Sequence, residues 1–336
     1  MLSWLAVCSA CVPPPVSERG LQLRTLVVRD SVFGAVNRSY YLRLPEIIAG
    51  PLVLGFHGQG SKASDWANGH TFQDLAPGTD WVYAFPQGMH DLTGSAFDSG
   101  WNVGTNGDNS TCLAGTTGTG CHSSCRARGL CGRCSWSSCY DDRAFVTQLL
   151  SALTAEFCLT HYFAVGESNG AMFMHELIDS FPSLFLAAVP VFGLPLLGYS
   201  TGYSFGLLTQ TSRPRTSILQ LHDRNDTTIP WQGGASTAGW LYEPLARTLG
   251  KWAAIHGCSD AAFSDPSRQV NGSAPDPATH MACFAHPHCT RGAQVAHCMY
   301  DGEHGTWPSQ PNADMLVMKP HWSVATSGLA ATAWVK

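Results

Sequence analysis

Charge is what this sequence has least of. Asp, Glu, Lys and Arg make up 13% of its 336 residues, about half the ~25% usual for soluble domains. Nineteen basic residues stand against 24 acidic ones, for a formal charge of −5. No basic face is therefore on offer to nucleic acid, and none is expected as a partner. No apolar run approaches the ~18 residues a membrane-spanning helix needs, so no membrane association is expected. Internal repeats and long linkers are also missing, and with them the solenoids and coiled coils. Hydrophobic residues reach 44%, with 34 Gly and 20 Pro. That balance excludes wholesale disorder and suits a compact, loop-rich globular chain.

Cysteine is abundant instead. Thirteen are present: Cys8 and Cys11, six from Cys112 to Cys139, Cys158 alone, then Cys258, Cys283, Cys289 and Cys298. The last four could close two disulfides in any of three ways. The middle group, with Cys121, Cys125, Cys131, Cys134 and Cys139 among Gly, Ser and Thr, has two readings. Cys131-Gly-Arg-Cys134 has a spacing that can chelate zinc; a disulfide-stapled surface loop is the favoured alternative, and no metal is expected. Six plus Cys158 is odd, so one cysteine stays free or pairs towards the N-terminus. His280, His286 and His288 near Cys283 and Cys289 are read as surface residues of a disulfide-bonded excursion. Residues 1–20 open with Met1–Ala10, apolar and ending in small residues, which reads as a short signal segment without its basic region. Sequons begin at Asn37, Asn109, Asn225 and Asn271. Cysteines, sequons and the apolar start together predict a secreted glycoprotein.

Periodicity predicts an α/β fold. Leu21–Val28 and Arg38–Leu44 read as paired strands. Pro51–Phe56, Asp80–Phe85, Tyr162–Val165, Leu186–Phe192, Ser217–Leu221 and Val295–Tyr300 are short apolar runs of the kind buried in a parallel sheet. Phe145, Leu149, Leu150, Leu153 and Phe157 recur at helical spacing within 142–157, and a helix is expected over 171–178. Strands alternating with helices predict a mostly parallel central sheet covered by helices on both faces. Residues 21–336 form a single domain on this reading, with a Cys-rich loop insertion over about residues 105–140.

Gly166-Glu167-Ser168-Asn169-Gly170 is Gly-x-Ser-x-Gly between a predicted strand and a predicted helix. The glycines permit a sharp turn that lifts the serine hydroxyl clear of the sheet. The helix beginning there aims N–H groups at the serine, and the Asn169 N–H can donate to an oxyanion. A serine nucleophile needs a base, and the base a carboxylate. After the strand ending at Leu221 come Asp223 and Asp226, rival candidates for the acid. After the strand ending at Tyr300 comes His304, the candidate base. His57-Gly58-Gln59-Gly60 follows an earlier strand and can supply a second oxyanion donor from the Gln59 N–H.

These blocks resemble the secreted feruloyl esterase and polyhydroxybutyrate depolymerase group of the α/β-hydrolases. The resemblance rests on Leu52–Gly58, Phe85-Pro86-Gln87-Gly88, Gly100-Trp101-Asn102, Tyr140-Asp141-Asp142 and Gly166–Gly170. It continues through His222-x3-Asp226-x2-Ile229-Pro230, His256-Gly257-Cys258 and Gly302–Pro308, and covers about residues 38–308. It implies an α/β-hydrolase fold with Ser168 as nucleophile, Asp226 rather than Asp223 as the acid and His304 as the base. It also implies a cofactor-free ester hydrolase. Two departures stand out. Asp223 occupies a position the group gives to Gly, and Gly305 intervenes between His304 and Thr306-Trp307-Pro308.

Trp101, Trp231 and Trp307 fall in or near the loops of the expected active face, where aromatic walls would suit a cinnamoyl group. The chain runs some thirty residues past His304, without the separate polymer-binding module common in extracellular polyester depolymerases. The expected activity is therefore feruloyl-type ester hydrolysis on polysaccharides, with short polyesters as the alternative. An inactive α/β-hydrolase serving as a binding module is the reading from another class. A monomer is expected. A glycan on Asn225 would crowd Asp226, so Asn225 is expected to be unmodified.

Overall fold

The computed structural model describes residues 20–48, 50–68, 81–91, 99–103, 113, 122–129, 138–197, 216–237, 239–259, 282–286, 288–289 and 293–307. Two long strands, β1 (Gly20–Asp30) and β2 (Gly34–Leu44), pair antiparallel along their whole length. Asp30 closes their turn by accepting the N–H groups of Val32 and Phe33 at 2.7 and 2.9 Å, the usual service of an aspartate at such a corner. Next come β3 (Leu52–Phe56), α1 (Ala63–Asn68), β4 (Val82–Pro86) and the small pair β5 (Met89–His90) and β6 (Ser99–Gly100). After α2 (Ser123–Ala127) and α3 (Asp142–Phe157), the chain alternates through β7 (Tyr162–Glu167), α4 (Asn169–Ser180), β8 (Ala187–Val191) and β9 (Ser217–Asp223). The pair β10 (Gly234–Ala235) and β11 (Leu241–Tyr242), then α5 (Leu245–His256), β12 (Ala282–Ala285) and β13 (Val295–Tyr300) complete the described elements.

Nine strands form one sheet in the order β1-β2-β4-β3-β7-β8-β9-β13-β12. The six from β4 to β13 run parallel, while β1, β2 and β12 are antiparallel. Every residue of β3, β4, β8, β9 and β13 is buried. That explains why these segments read as continuous apolar runs: a parallel strand covered on both sides has no polar face. Leu52 and Leu54 of β3 join one core, with Phe145, Leu149, Phe173 and Trp252 from α3, α4 and α5. Val53 points the other way, into a second core with Ala63 and Ala67 of α1 and with Phe163, Val165 and Val189.

Helix α3 lies where its apolar spacing predicted. Asp141 caps its first turn by accepting from Ala144 N–H at 2.9 Å, and Phe145, Leu149, Leu153 and Phe157 are buried. A buried ion pair, Arg38 to Asp142 at 2.6 Å, fastens β2 to the start of α3. The antiparallel edge strand β12 and helix α5 were not anticipated. Disulfides hold that edge: Cys283–Cys298 joins β12 to β13, and Cys258–Cys289 joins the end of α5 to the segment after β12. This is one of the three possible connectivities. Cys125–Cys139 staples the described part of the insertion, and Cys158 is disulfide-bonded as well. Cys131 and Cys134 lie outside the described residues.

Candidate active site

Four loops meet at the carboxyl ends of β3, β7, β9 and β13, the crevice where open α/β sheets bind ligands. Between β7 and α4 the chain turns on a single residue. Ser168 has φ 49 and ψ −121, a backbone state that costs a non-glycine residue of order 1–3 kcal/mol. The flanking glycines carry none of that strain; they are needed for close approach. A Cβ on Gly170 would stand 2.3 Å from the Phe56 carbonyl oxygen, and one on Gly166 would stand 2.7 Å from Met174 Sδ. The motif thus pins Ser168 in a strained corner, with a helix pressed against β3.

Ser168 Oγ lies 3.0 Å from His304 Nε2, and His304 Nδ1 lies 2.7 Å from Asp226 Oδ2. Asp226 is 3% exposed, and its other oxygen accepts the N–H groups of Thr228 and Ile229 at 2.8 and 2.7 Å. Its carboxylate is therefore fixed before the histidine arrives. Asp223, the rival, ends β9 beside it, and burial together with the Asp226 charge pushes its carboxyl up to about 6. His222 closes the acid loop by donating from Nε2 to the Ile229 carbonyl at 2.8 Å. Burial pushes its pKa down to about 4, so it stays a neutral donor. The base loop is knitted internally: Tyr300 Oη donates to the Thr306 carbonyl, and Thr306 N–H to that of Glu303. Gly305 takes φ 90 there, a turn that admits glycine readily. The Phe192 ring meets the His304 imidazole edge-on at 5.2 Å.

The turn after β3 stands against the nucleophile: a Cβ on Gly58 would lie 3.3 Å from Ser168 Cβ. His57 holds this turn. It is fully buried, which pushes its pKa down to about 4 and keeps the ring neutral. Nε2 accepts from Gly88 N–H at 3.0 Å, so the proton resides on Nδ1, which donates to the Gly58 carbonyl at 2.7 Å. Asn169 is the first residue of α4, and its side-chain oxygen accepts from Trp101 N–H at 2.7 Å. Gln59 packs its side chain beside Gly100. The turn that carries Gln59 thus lies against the Ser168 corner, and Asn169 follows Ser168 directly at the start of α4.

Among solved structures, the chain is similar to an acetyl xylan esterase from Aspergillus awamori, at 16% identity over 89% of this chain and 99% of that one, with a TM-score of 0.56. A ferulic acid esterase (12% identical, 91% of this chain and 99% of that one, TM-score 0.48) and esterase PE8 (16%, 89% and 98%, TM-score 0.46) also match, too distantly to carry an argument. No protein-family model and no curated protein matches the sequence. The strand order and the first of these likenesses agree. The fold is that of the α/β-hydrolases. At 16% identity the likeness speaks for fold alone.

The three tryptophans expected at the active face fare differently. Trp101 is no wall: it is fully buried, stacked on Phe173 at 5.2 Å, with its indole N–H donating to the His57 carbonyl at 2.8 Å. The apolar body belongs to the core and only the polar tip serves the site, a division that sequence position does not display. Trp231 is half-buried against the main core, on the acid loop. Trp307 is half-buried beside the nucleophile, its indole N–H bonded to Glu167 at 2.7 Å. Sequence reasoning missed His57, Phe192 and Glu167, because each acts through residues remote in the chain. Among the described residues no group of three or more His, Cys, Asp or Glu could hold a metal ion, and the sulfurs of Cys283 and Cys289 are committed to disulfides.

Proposed function

We propose that the protein is a carboxylic ester hydrolase working through an acyl-enzyme on Ser168. One observation carries the reading: the unbroken Ser168–His304–Asp226 hydrogen-bonded chain, with the serine held in a strained corner. Ser168 Oγ attacks the ester carbonyl as His304 Nε2 takes its proton. Asp226 keeps the histidine proton on Nδ1 and stabilises the imidazolium that forms. The backbone N–H groups of Asn169 and Gln59 receive the oxyanion, each donor contributing ~3 kcal/mol to the transition state. His304 then protonates the departing alcohol, and water repeats the sequence on the acyl-serine. No cofactor takes part in these steps.

The substrate reading is an ester on a plant or algal polysaccharide, with a feruloyl-type acyl group. The block resemblance supports it. Burial of Trp101 removes one of the aromatic arguments for a cinnamoyl pocket, so acetyl esters belong in the test. Export is part of the same reading. The disulfides Cys125–Cys139, Cys258–Cys289 and Cys283–Cys298, with Cys158 bonded as well, suit an oxidising compartment, and the sequon residue Asn37 is exposed.

The test is hydrolysis of methyl ferulate, acetylated xylan and hydroxybutyrate oligomers by the parent and by Ser168→Ala. The parent should release ferulate, and the variant should lose at least ~10³-fold in turnover. Ser168-dependent release from acetylated xylan alone would replace the acyl group and keep the polysaccharide. Release from the oligomers alone would make it a polyester depolymerase. No turnover of any ester, and no labelling of Ser168 by a fluorophosphonate, would sink the enzyme reading.

A further inference from the structure

The residue before the nucleophile has no part in the mechanism above, yet it touches both the turn after β3 and the loop that carries His304. Glu167 ends β7 with its carboxylate between two indoles. Oε1 accepts from Trp66 Nε1 at 3.0 Å, and Oε2 from Trp307 Nε1 at 2.7 Å. The N–H of Gly58, in the proposed oxyanion turn, lies 3.4 Å from Oε1. Trp66 is on α1, directly after that turn, and Trp307 is three residues past His304. The two indoles also meet each other edge-on, with centroids 5.9 Å apart, and Trp307 meets Phe192, the ring against His304, at 6.0 Å.

We propose that Glu167 is a positioning residue: its carboxylate clamps the His304 loop to the nucleophile corner and sets the His304–Ser168 distance. The proposal rests on the serine-hydrolase reading. Three physical arguments support it. First, the two ends of the His304 loop are held from different places: Arg224 ties its start to the end of β9 through Asp301 at 2.8 Å, while Glu167 holds its far end, past the exposed Glu303, Gly305 and Thr306, through Trp307. Second, an indole N–H to a carboxylate is a charge-assisted bond, stronger and more directional than a neutral one. Third, Glu167 precedes a residue with φ 49, so its carboxylate is carried by the same rigid corner that presents Ser168 Oγ. Base and nucleophile are thereby referenced to one point on the backbone, where a misplacement of ~1 Å can cost ~100-fold in rate.

The experiment uses the parent, Glu167→Gln, Trp307→Phe and the double variant. Glutamine keeps the size of the side chain but offers an oxygen to only one of the two indoles. Phenylalanine keeps an aromatic ring and removes the donor. With p-nitrophenyl acetate each single variant should lose ~10–100-fold in kcat with KM within about twofold and an unchanged melting temperature. The double variant should be no slower than the slower single, because one clamp cannot be broken twice. A kcat within twofold of the parent in either single variant would overturn the proposal, as would losses that multiply. So would a fallen melting temperature with kcat intact, the mark of a merely structural contact. The downfield NMR resonance of the His304 Nδ1 proton reads the same geometry without turnover, and it should broaden or shift in both single variants. A parent that cleaves no ester but shows that response would refute the function and keep the clamp. A Ser168-dependent esterase whose resonance and kcat ignore both substitutions would keep the function and refute the clamp.

Discussion

Acidification from pH 7.5 to 5 should destabilise this protein through its buried histidines. Burial pushes His57, His175 and His222 down to about 4 and His297 to about 3, from an ordinary 6.5. The folded state therefore keeps these rings neutral at pH 5, while the unfolded chain protonates them. A depressed histidine contributes fully above pH 6.5, and its contribution is lost as pH falls from 6.5 to the folded pKa. At pH 5 the loss is about 2 kcal/mol for each ring and about 8 kcal/mol for the four. Three carboxyls act the other way. Burial raises Asp142 above the ordinary carboxylate range, Asp179 to about 7 and Asp223 to about 6, so the folded state takes up their protons first, and at pH 5 the last two return at most about 4 kcal/mol. The net loss, up to about 4 kcal/mol, is a large part of the ~5–15 kcal/mol that holds a domain together.

Urea unfolding at half-unit steps from pH 7.5 to 4.5 measures this directly. The midpoint should fall below pH 6.5, with a net uptake of at most about two protons on unfolding near pH 5. His297 stacks on Phe284 of the edge strand at 4.9 Å, and His297→Phe should remove about one proton from that uptake. A midpoint that is flat or rising between pH 6.5 and 4.5 would refute the reasoning. It would mean that the rings are charged in place or already protonated in the fold.

Four variants test the frame around the site. Gly170→Ala puts a methyl group 2.3 Å from the Phe56 carbonyl oxygen and should cost ~3 kcal/mol or more, read as lost soluble expression or a lowered melting temperature. Arg38→Leu leaves Asp142 buried without its partner and should cost ~3–5 kcal/mol by urea unfolding. Cys283→Ser paired with Cys298→Ser opens a 15-residue span and should cost ~3 kcal/mol in the same assay. Trp101→Phe keeps the stack on Phe173 but strips the donor from the His57 carbonyl; stability should fall by ~1–3 kcal/mol, and fluorophosphonate labelling of Ser168 should slow.

How much was legible follows from distance along the chain. The parallel strands were legible because burial on both faces leaves only apolar residues, and α3 because Phe145, Leu149, Leu153 and Phe157 share one stripe. Helix α5 escaped notice although it carries its own boundary signals. Pro244 stands at its entry and Gly257, with φ 64, at its exit, but Gly250 and Lys251 break the apolar rhythm between Leu249 and Trp252. Edge strand β12 is four residues of Ala, Cys and Phe, too short to show a period. In the site, loop order after each strand singled out Ser168 and His304 and left Asp223 and Asp226 as rivals, which the block resemblance separated. Glu167 was beyond reach, since its partners are 101 and 140 residues away and nothing local distinguishes an acid that accepts two indoles.

The blocks that carry the resemblance make sense once their bonds are traced. Only some of them hold the proposed catalytic side chains; the others converge on the turn after β3. Gly88 N–H fixes the His57 tautomer, and Arg38 donates to the Gln87 carbonyl and to Asp142. Asp142 accepts from Asn102 N–H, the neighbouring Trp101 indole donates to the His57 carbonyl, and Trp101 N–H is bonded to Asn169. Phe85–Gly88, Gly100–Asn102 and Tyr140–Asp142 are thus one continuous hydrogen-bonded support running beneath the two proposed oxyanion donors. Such donors work by being aimed before charge develops, and each loses its value if it must swing into place. The demand falls on residues that never meet a substrate, which is why so much of the recognisable pattern lies away from Ser168.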